Sequence, residues 1–275
     1  MIKRLEITSS KIKTEKKLLL ISDIHKSKKY KKDNLSKLKD EIKEEFKSID
    51  YIIISGDIID SPKHLVDEEF VKELKRYLEE FTEEKETYVV LGNHDICTNN
   101  LEEEYLYKIL KETKIKCLNN REKINIGDIT ILGFTPNIDY YKKHHGSKYE
   151  FEKQFKEYKS DKNSNKKYNI LITHDPSSII KLSKEKDECI GKNIDLVISG
   201  HMHNGMVPNK FQNIMKNRGF VGPYKTLLPK FAHGLIKIKD TNFIILGAIN
   251  PTIDIPVTNK LYGYDATILT LKKVK

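Results

Sequence analysis

Residues 88–95 read Tyr-Val-Val-Leu-Gly-Asn-His-Asp, an apolar run that ends directly in polar residues able to do chemistry. The run at residues 88–91 has the length and character of a buried strand. A tight turn would account for Gly92-Asn93, but not for the histidine and aspartate that follow. An asparagine oxygen is a competent metal ligand, and an adjacent carboxylate can fix the tautomer of an imidazole acid. The stretch therefore predicts a strand whose carboxyl end carries a functional site.

Four further polar motifs occupy the same kind of position, just beyond a short apolar run. Taken singly each is weak, since a capped turn or a satisfied histidine is commoner than a metal ligand. Five of the nine histidines, however, lie just beyond predicted strands. The set therefore predicts ligands that converge at one edge of a sheet. The four motifs are Asp23-Ile24-His25, Gly56-Asp57-Ile58-Ile59-Asp60, Thr173-His174-Asp175-Pro176 and Gly200-His201-Met202-His203-Asn204-Gly205.

For two of these motifs the sequence also predicts how the side chains are placed around a metal ion. In an extended backbone, residues two apart face the same side, so Asp23 and His25 can converge on one cation. Asp57 stands at a strand exit, where its carboxylate can bridge two metals while Gly56 lets the backbone approach closely. Asp60 is a candidate for orienting a neighbouring loop, not for binding metal.

Strands and helices alternate along most of the chain. Apolar residues at helical spacing predict helices over residues 35–49 and 70–81, with Asp67 as the N-cap of the second. Asn100 and Glu103 form a capping-box pattern for a third helix. Alternation of this kind predicts an α/β layered fold with catalytic groups at the carboxyl ends of strands. Residues 231–271 are richer in β signal and predict a second sheet. The predicted strands cover residues 18–21, 51–54, 88–91, 129–132, 170–172 and 194–198.

A single domain is predicted over residues 1–275, because no linker or internal repeat divides the chain. Residues 137–169 are the least regular stretch and are interpreted as a polar insertion. Phe151, Phe155 and Tyr158 fall at helical spacing inside it and predict one packed helix. A lid or substrate-recognition segment is the alternative.

The formal net charge of +10 would suit an anionic partner such as nucleic acid. Of the 50 basic residues, however, 46 are lysines spread along the chain, since only four are arginines. Nucleic-acid readers concentrate charge on one face and favour the guanidinium fork. Nucleic acid is therefore a disfavoured partner.

The three cysteines show no metal-ligand spacing and cannot all pair within the chain, which favours a reducing compartment. The first 17 residues are too charged for a signal peptide. No apolar run approaches the roughly 20 residues that span a bilayer. We therefore predict a cytoplasmic protein without a membrane segment; the sequence indicates no oligomeric state.

In chain order the five motifs read D-x-H, G-D-x-x-D, G-N-H-D, H and G-H-x-H. As a set, from Asp23 to His203, they resemble the calcineurin-like metallophosphoesterases. The resemblance implies two facing mixed β-sheets flanked by helices, a four-layer α/β/β/α sandwich. It also implies two metal ions. One would be held by Asp23, His25, Asp57 and His203, and the other by Asp57, Asn93, His174 and His201.

Within that family the sequence is similar to bacterial phosphohydrolases whose last motif commonly reads G-H-T-H-G-G, often behind an N-terminal membrane segment. Met202 and Asn204 replace the usual neighbours here without removing a ligand. The departure therefore bears on substrate preference and not on metal binding. The membrane segment is not found in this sequence, so an envelope role is not implied.

The resemblance implies hydrolysis of a phosphate mono- or diester by a hydroxide that bridges the two metals. His94 would act as general acid on the leaving group, with Asp95 orienting its imidazole. A ligand set of carboxylate, imidazole and amide, without thiolate, favours Mn, Fe or Zn. Both divalent and mixed-valence pairs fit that set.

Two alternative functions stand beside this prediction. A nuclease of the same family would share the chemistry and add a basic groove, for which the lysines between Lys26 and Lys32 are the candidate edge. A non-catalytic interaction protein on the same scaffold would usually have lost ligands or the acid. Since Asp23, His94 and His203 are all present, the second alternative is disfavoured.

Overall fold

The computed structural model describes residues 1–28, 34–83, 85–118, 120, 122–158, 166–185, 194–250 and 263–274, which form two mixed six-stranded sheets. The strands of the first sheet, in spatial order, are β1 (Ile2–Ser9), β12 (Ala266–Lys273), β2 (Lys16–Ile21), β3 (Tyr51–Ser55), β4 (Glu86–Val90) and β5 (Lys116–Cys117). Of these, β2, β3, β4 and β5 are parallel neighbours, β12 runs antiparallel to β2, and β1 runs parallel to β12.

The second sheet is built in a similar way. Four of its strands, β11, β9, β8 and β7, are parallel neighbours, and the two outer strands β10 and β6 are antiparallel to them. In spatial order the strands are β10 (Gly234–Ile238), β11 (Thr241–Ile245), β9 (Leu196–Ser199), β8 (Tyr168–Thr173), β7 (Ile129–Phe134) and β6 (Lys123–Ile126).

Helices follow many of the strands. The predicted cap of α3 is confirmed, because the Asp67 side chain accepts a hydrogen bond from the Phe70 amide at 3.0 Å. The α-helices are α1 (Asn34–Glu41), α2 (Lys43–Lys47), α3 (Glu68–Thr82), α4 (Tyr105–Lys111), α5 (Ile138–Lys142), α6 (Lys148–Tyr158), α7 (Pro176–Glu185) and α8 (Gln212–Met215). Short 3-10 helices span Pro62–Val66, Leu101–Glu103, His203–Met206, Asn209–Phe211 and Pro223–Lys225.

Strand β2 shows how the layers pack. Leu18 and Leu20 lie in an apolar cluster with Ile170 of the second sheet, whereas Leu19 packs in the cluster that contains Leu38 of α1. Successive side chains of a strand point to opposite faces, so one face meets the other sheet and the other meets helices. Each fully buried leucine contributes about 1.5–3 kcal/mol. The predicted four-layer arrangement of two facing sheets between helices is confirmed.

The tail departs from the prediction of a second sheet of its own. Strands β10 and β11 extend the second sheet, but β12 lies between β1 and β2 in the first. Leu269 and Leu271 face the cluster between the sheets, while Ile268 packs in the outer cluster. β12 pairs with β1 on one side and with β2 on the other, so it is an internal strand of the first sheet. The hydrophobic pattern cannot reveal which of two sheets such a strand joins.

The capping box predicted at Asn100 caps a different element from the expected helix. The Asn100 side chain accepts from the Glu102 amide and donates to the Glu103 carboxylate. That turn is the 3-10 helix at Leu101–Glu103, and α4 begins only at Tyr105. The pattern therefore located a helical start but not the main helix.

The predicted packed helix inside the insertion at residues 137–169 is α6. The rings of Phe151 and Phe155 on α6 each lie 5.0 Å from the ring of Phe134 on β7. The side chain of Tyr158 and residues 159–165 lie outside the described residues. Across the described ranges, no helix is both long enough and apolar enough to cross a membrane.

The motif-bearing loops meet at one edge of the sandwich. The carboxyl ends of β2 and β3 are joined by the Asp23 amide, which donates to the Gly56 carbonyl at 3.0 Å. The Ser55 hydroxyl donates at 3.3 Å to the carbonyl of Thr173 and so links the two sheets. Parallel strands that end at the same edge bring distant parts of the chain together.

Candidate metal centre

The loops at this edge bring six of the seven predicted metal ligands together. Within each of two groups, the ligand atoms lie within 4.8 Å of one another. The first group is Asp23, His25 and His203, and the second is Asp57, His174 and His201. These are the acidic and imidazole members of the two ligand sets that the sequence resemblance implied.

Asp57 stands where the two groups meet. Its Oδ2 lies 3.1 Å from His174 Nε2 in its own group and 3.8 Å from His25 Nε2 in the other. Asp23 Oδ1 lies 3.2 Å from His203 Nε2 and 4.0 Å from His174 Nε2. The two groups therefore form one continuous cluster with a carboxylate oxygen between them.

Backbone groups hold the two carboxylates in orientation. The amide of His94 donates to Asp57 Oδ1 at 2.8 Å, which leaves Oδ2 to face the histidines. The amide of His201 donates to Asp23 Oδ2 at 3.1 Å, which leaves Oδ1 to face them. Both carboxylates thus direct one oxygen inward without using another side chain.

A backbone carbonyl orients His174 in a comparable way. Its Nδ1 lies 2.6 Å from the carbonyl oxygen of Ser55. Since a carbonyl only accepts, Nδ1 carries the proton and Nε2 points toward Asp57. A second partner of this kind fixes the tautomer of a metal-binding histidine.

The ligand backbone is strained, which corrects the sequence argument about Asp23 and His25. Strand β2 ends at Ile21, and Asp23 and His25 have φ values of 54° and 45° instead of extended ones. Asp57, His201 and His203 also have positive φ. Such conformations cost of order 1–3 kcal/mol each for residues other than glycine and cluster at functional sites. The two side chains therefore converge through left-handed loop conformations.

Glycines leave room for these carboxylates. A Cβ added at Gly92 would lie 2.2 Å from Asp57 Oδ1, and one at Gly200 would lie 2.7 Å from Asp23 Oδ2. Both distances are well inside van der Waals contact. The glycines of the Gly-Asn-His-Asp and Gly-His-x-His motifs therefore serve close approach of the backbone to the cluster.

Buried polar atoms without partners test whether this cluster fits metal ions. Buried polar groups in folded proteins nearly always have a partner, so a cluster of exceptions needs a cause. Carboxylate, imidazole and amide donors without thiolate suit Mn, Fe or Zn. The residues therefore fit a metal centre. Among the described residues, the ligand-side atoms without a hydrogen-bond partner are Asp23 Oδ1, His25 Nε2, Asn93 Oδ1, His174 Nε2 and His201 Nε2.

Charge and burial act on the titration of the cluster in opposite directions. Burial alone would lower the pKa of His174, but the adjacent Asp57 carboxylate raises it to about 10. Burial would raise the pKa of Asp57, but His174 holds that pKa well below its usual range. Burial lowers the pKa of His203 to about 4. Because metal ligands bind deprotonated, a cation entering between Asp57 and His174 must displace the proton on His174.

His94 lies beside the first group, with its ring edge-on to His25 at a centroid distance of 4.8 Å. Its Nδ1 is 2.7 Å from the backbone carbonyl oxygen of Asp60. Because that carbonyl only accepts, Nδ1 donates to it and Nε2 is the nitrogen left for a substrate. The orienting partner is thus Asp60, through its main chain, and not Asp95 as the sequence predicted.

The geometry can be compared with known proteins. A family model described as calcineurin-like phosphoesterase matches residues 16–205, more than half of the chain and all of the motif loops. The chain belongs to the calcineurin-like phosphoesterase family. Members of this family are phosphoesterases that typically bind divalent metals, in agreement with the ligand groups described above.

Two curated relatives of this chain are uncharacterized metallophosphoesterases. The one from Helicobacter pylori is 26% identical over 90% of this chain and 57% of its own length. The one from Campylobacter jejuni is 27% identical over 80% of this chain and 52% of its own length. The chain therefore spans about half the length of the relatives it matches. A solved dimetal phosphatase from Danio rerio is similar with 11% identity and a TM-score of 0.47, covering 85% of this chain and 88% of that one.

Asp95 joins the loops that follow β3 and β4. Its Oδ1 accepts from the amides of Ile58 and Ile59 at 2.8 and 3.1 Å, and its Oδ2 accepts from the amide of Gly92 at 2.8 Å. Burial raises the pKa of Asp95 to about 7, and the nearby Asp57 carboxylate adds to this. With both oxygens occupied by main-chain donors, Asp95 fixes the β3 and β4 loops relative to each other. The catalytic role of His94 stays a prediction.

This position predicts a graded loss of stability. Asp95→Ala would leave three buried amides unpaired, so we expect it to lower the free energy of unfolding by about 3 kcal/mol or more. Asp95→Asn keeps one accepting oxygen for Ile58 and Ile59 and should lose only about 1–2 kcal/mol. Urea unfolding of the metal-free protein measures both, with the exposed Asp240→Ala as control. Equal losses for the two variants would contradict this role of Asp95.

A cluster around Asp175 was missed from the sequence. Its Oδ2 accepts from the hydroxyl of Tyr140 at 2.9 Å and from that of Tyr224 at 3.0 Å, and it lies 3.9 Å from His201 Nε2. Tyr140 belongs to the predicted insertion, which therefore reaches the metal ligands. The sequence showed Asp175 beside His174, but nothing local identified tyrosines 35 and 49 residues away as its partners.

Two lysines of the basic run after the first motif, Lys26 and Lys28, form ion pairs with acidic residues. Lys26 Nζ lies 2.7 Å from Glu73 Oε1 of α3, and Lys28 pairs with the α3 cap residue Asp67. Lys29, Lys31 and Lys32 lie outside the described residues. The two described lysines therefore tie the first motif loop to α3, and neither supports a nucleic-acid groove.

Proposed function

We propose that the protein hydrolyses phosphate mono- or diesters with two metal ions that share Asp57. The observation that supports this most directly is the position of Asp57 Oδ2, 3.1 Å from His174 in one ligand group and 3.8 Å from His25 in the other. The first ion would be held by Asp23, His25, Asp57 and His203, and the second by Asp57, Asn93, His174 and His201.

Two bound ions would lower the pKa of a shared water and neutralise phosphate oxygens during in-line attack. The chain's own residues provide the remaining requirements. Asp57 and Asp23 are held by main-chain amides, so each directs one oxygen inward without rearrangement. Preorganised groups of this kind cost little reorganisation during reaction.

His94 is proposed as the proton donor to the leaving group. Its Nδ1 is committed to the Asp60 carbonyl, so only Nε2 can donate to an ester oxygen. Donation from Nε2 requires the imidazolium, because the neutral ring carries its proton on Nδ1. The His94 ring lies next to the ligand His25, with which it is in edge-on contact.

The test compares hydrolysis of p-nitrophenyl phosphate and bis(p-nitrophenyl) phosphate by metal-free protein and by protein loaded separately with Mn, Zn, Fe, Ni and Mg. We expect activity with at least one of Mn, Zn and Fe, and loss of that activity on chelation. The ratio of the two rates distinguishes monoester from diester preference. Hydrolysis that survives removal of metal, or that no metal restores, would contradict the proposal. The cytoplasmic location and the single domain of residues 1–275 stay predictions.

A further inference from the structure

Residues 206–231, which follow the last ligand motif, present an unusual surface that we call the apolar–basic segment. Large exposed apolar side chains are concentrated there. Of the twelve large hydrophobic residues that are exposed in the described part of the chain, seven belong to this segment. They are Phe211, Ile214, Phe220, Val221, Tyr224, Leu227 and Leu228.

The charge of the segment has one sign. It contains five basic residues and no acidic one, and no acidic residue occurs anywhere between Asp195 and Asp240. All 40 acidic residues of the chain lie outside the segment. The five basic residues are Lys210, Lys216, Arg218, Lys225 and Lys230.

Backbone hydrogen bonds fix part of the segment. The amide of Phe220 donates to the Gly205 carbonyl at 2.7 Å, and the amide of Leu228 donates to the Phe220 carbonyl at 2.9 Å. The amide of Gly219 donates to the carbonyl of buried Pro229 at 2.9 Å. These bonds tie residues 219–229 to one another and to the last ligand motif. The apolar side chains of the segment nevertheless point outward: Leu227 is 76% exposed and Ile214 is 73% exposed.

Exposed apolar surface of this extent marks an interaction site in a folded protein. We propose that the apolar–basic segment docks onto a membrane surface that carries anionic lipids. Leucine, isoleucine and phenylalanine gain free energy by entering the boundary between headgroups and acyl chains. Lysine and arginine beside them gain from the negative surface potential. The absence of acidic side chains from the segment removes the repulsion that such a surface would otherwise cause.

Docking would orient the metal centre toward the lipid headgroups. The segment begins three residues after the ligand His203, and its Tyr224 donates to Asp175 at 3.0 Å, next to the ligand His174. A membrane contacting Leu227 and Leu228 would therefore lie beside the cluster. This consequence, unlike docking itself, rests on the proposed function: the phosphate esters presented to the site would be those of membrane headgroups.

Sedimentation of the full chain with sucrose-loaded vesicles tests the docking. With a chelator present so that no headgroup is hydrolysed, we expect binding to vesicles of phosphatidylcholine mixed with phosphatidylglycerol, weaker binding to phosphatidylcholine alone, and a decrease with salt. Replacing Leu227 and Leu228 together by serine should weaken binding at least about tenfold. Replacing Lys225 and Lys230 by glutamine should weaken it about fivefold per charge.

Matched controls separate docking from folding. Val274→Ser removes an exposed apolar side chain beyond the end of β12, at the edge opposite the metal centre, and Lys43→Gln removes an exposed charge on α2. Both should bind as the unchanged protein does. The thermal unfolding midpoint checks each variant, and Ile214→Ser replaces the leucine variant if that one does not fold.

Several results would overturn the docking proposal. One is that the protein binds neither vesicle type. Another is that the folded variant with serine at positions 227 and 228, or the folded Ile214→Ser variant, binds as strongly as the unchanged protein. A third is a dimer in sedimentation velocity that the same folded variant loses while neither protein binds vesicles, since the segment would then join two copies. Because no hydrolysis is measured, a failure of the proposed activity does not affect any of these outcomes.

Discussion

Asp57→Asn is expected to lose metal from both ligand groups and to lose hydrolytic activity with it. The carboxylate has one oxygen held by the His94 amide and the other between His174 and His25. An asparagine side chain has one oxygen and one NH2 group. It can keep the His94 bond or present an oxygen to the histidines, but not both, and in either orientation it lacks the negative charge.

The expected loss of metal affinity exceeds the roughly 10–100-fold that removal of an outer-shell partner causes. Metal analysis after equilibration with Mn, together with p-nitrophenyl phosphate hydrolysis, measures it. Asp240→Asn, an exposed acid in the turn between β10 and β11, serves as the matched control and should behave as the unchanged protein. Two metals per chain and full activity in Asp57→Asn would show that this carboxylate does not bridge.

His94→Ala is expected to separate metal binding from catalysis. The residue holds Asp57 through its backbone amide, which alanine retains, so the metal content and the fold should be preserved. The imidazole itself is removed, and kcat should fall by about 10²–10⁴-fold if it donates a proton to the leaving group. The loss should be smallest for p-nitrophenyl esters, whose leaving groups need little protonation, and larger for alkyl phosphates.

The comparison of leaving groups decides the role of His94. His64→Ala is the control, because its ring packs against Phe70 at 5.2 Å and is not in either ligand group. An equal loss on good and poor leaving groups would indicate positioning or charge stabilisation in place of proton donation. Loss of metal in His94→Ala would make the histidine a ligand and would remove it from the proposed mechanism.

The motif loops could be predicted from the sequence because each follows a strand with a clear apolar pattern. The runs before Asp57 and His174 are buried on both faces, and parallel pairing then places their ends at one edge. Local pattern also identified the Asp67 cap and the Phe151–Phe155 helix face. These features depend on neighbours within a few residues, which a single sequence displays.

Other features depend on contacts between distant segments, and the sequence did not reveal them. Asp95 is next to His94 in the chain, yet its oxygens are taken by Ile58, Ile59 and Gly92, and Asp60 orients the imidazole instead. Adjacent residues point in different directions once the loop geometry is fixed, so sequence proximity was a poor guide. Strand β1 was missed because Lys3, Arg4 and Glu6 interrupt its apolar pattern at the edge of the sheet.

The central claim is that two metal ions share Asp57, and anomalous diffraction from crystals soaked in Mn tests it most directly. The account predicts two anomalous peaks roughly 3.5–4 Å apart, with Asp57 between them. One peak should lie among Asp23, His25 and His203, and the other among Asn93, His174 and His201. A single peak at saturating Mn, or two peaks of which only one contacts Asp57, would contradict it.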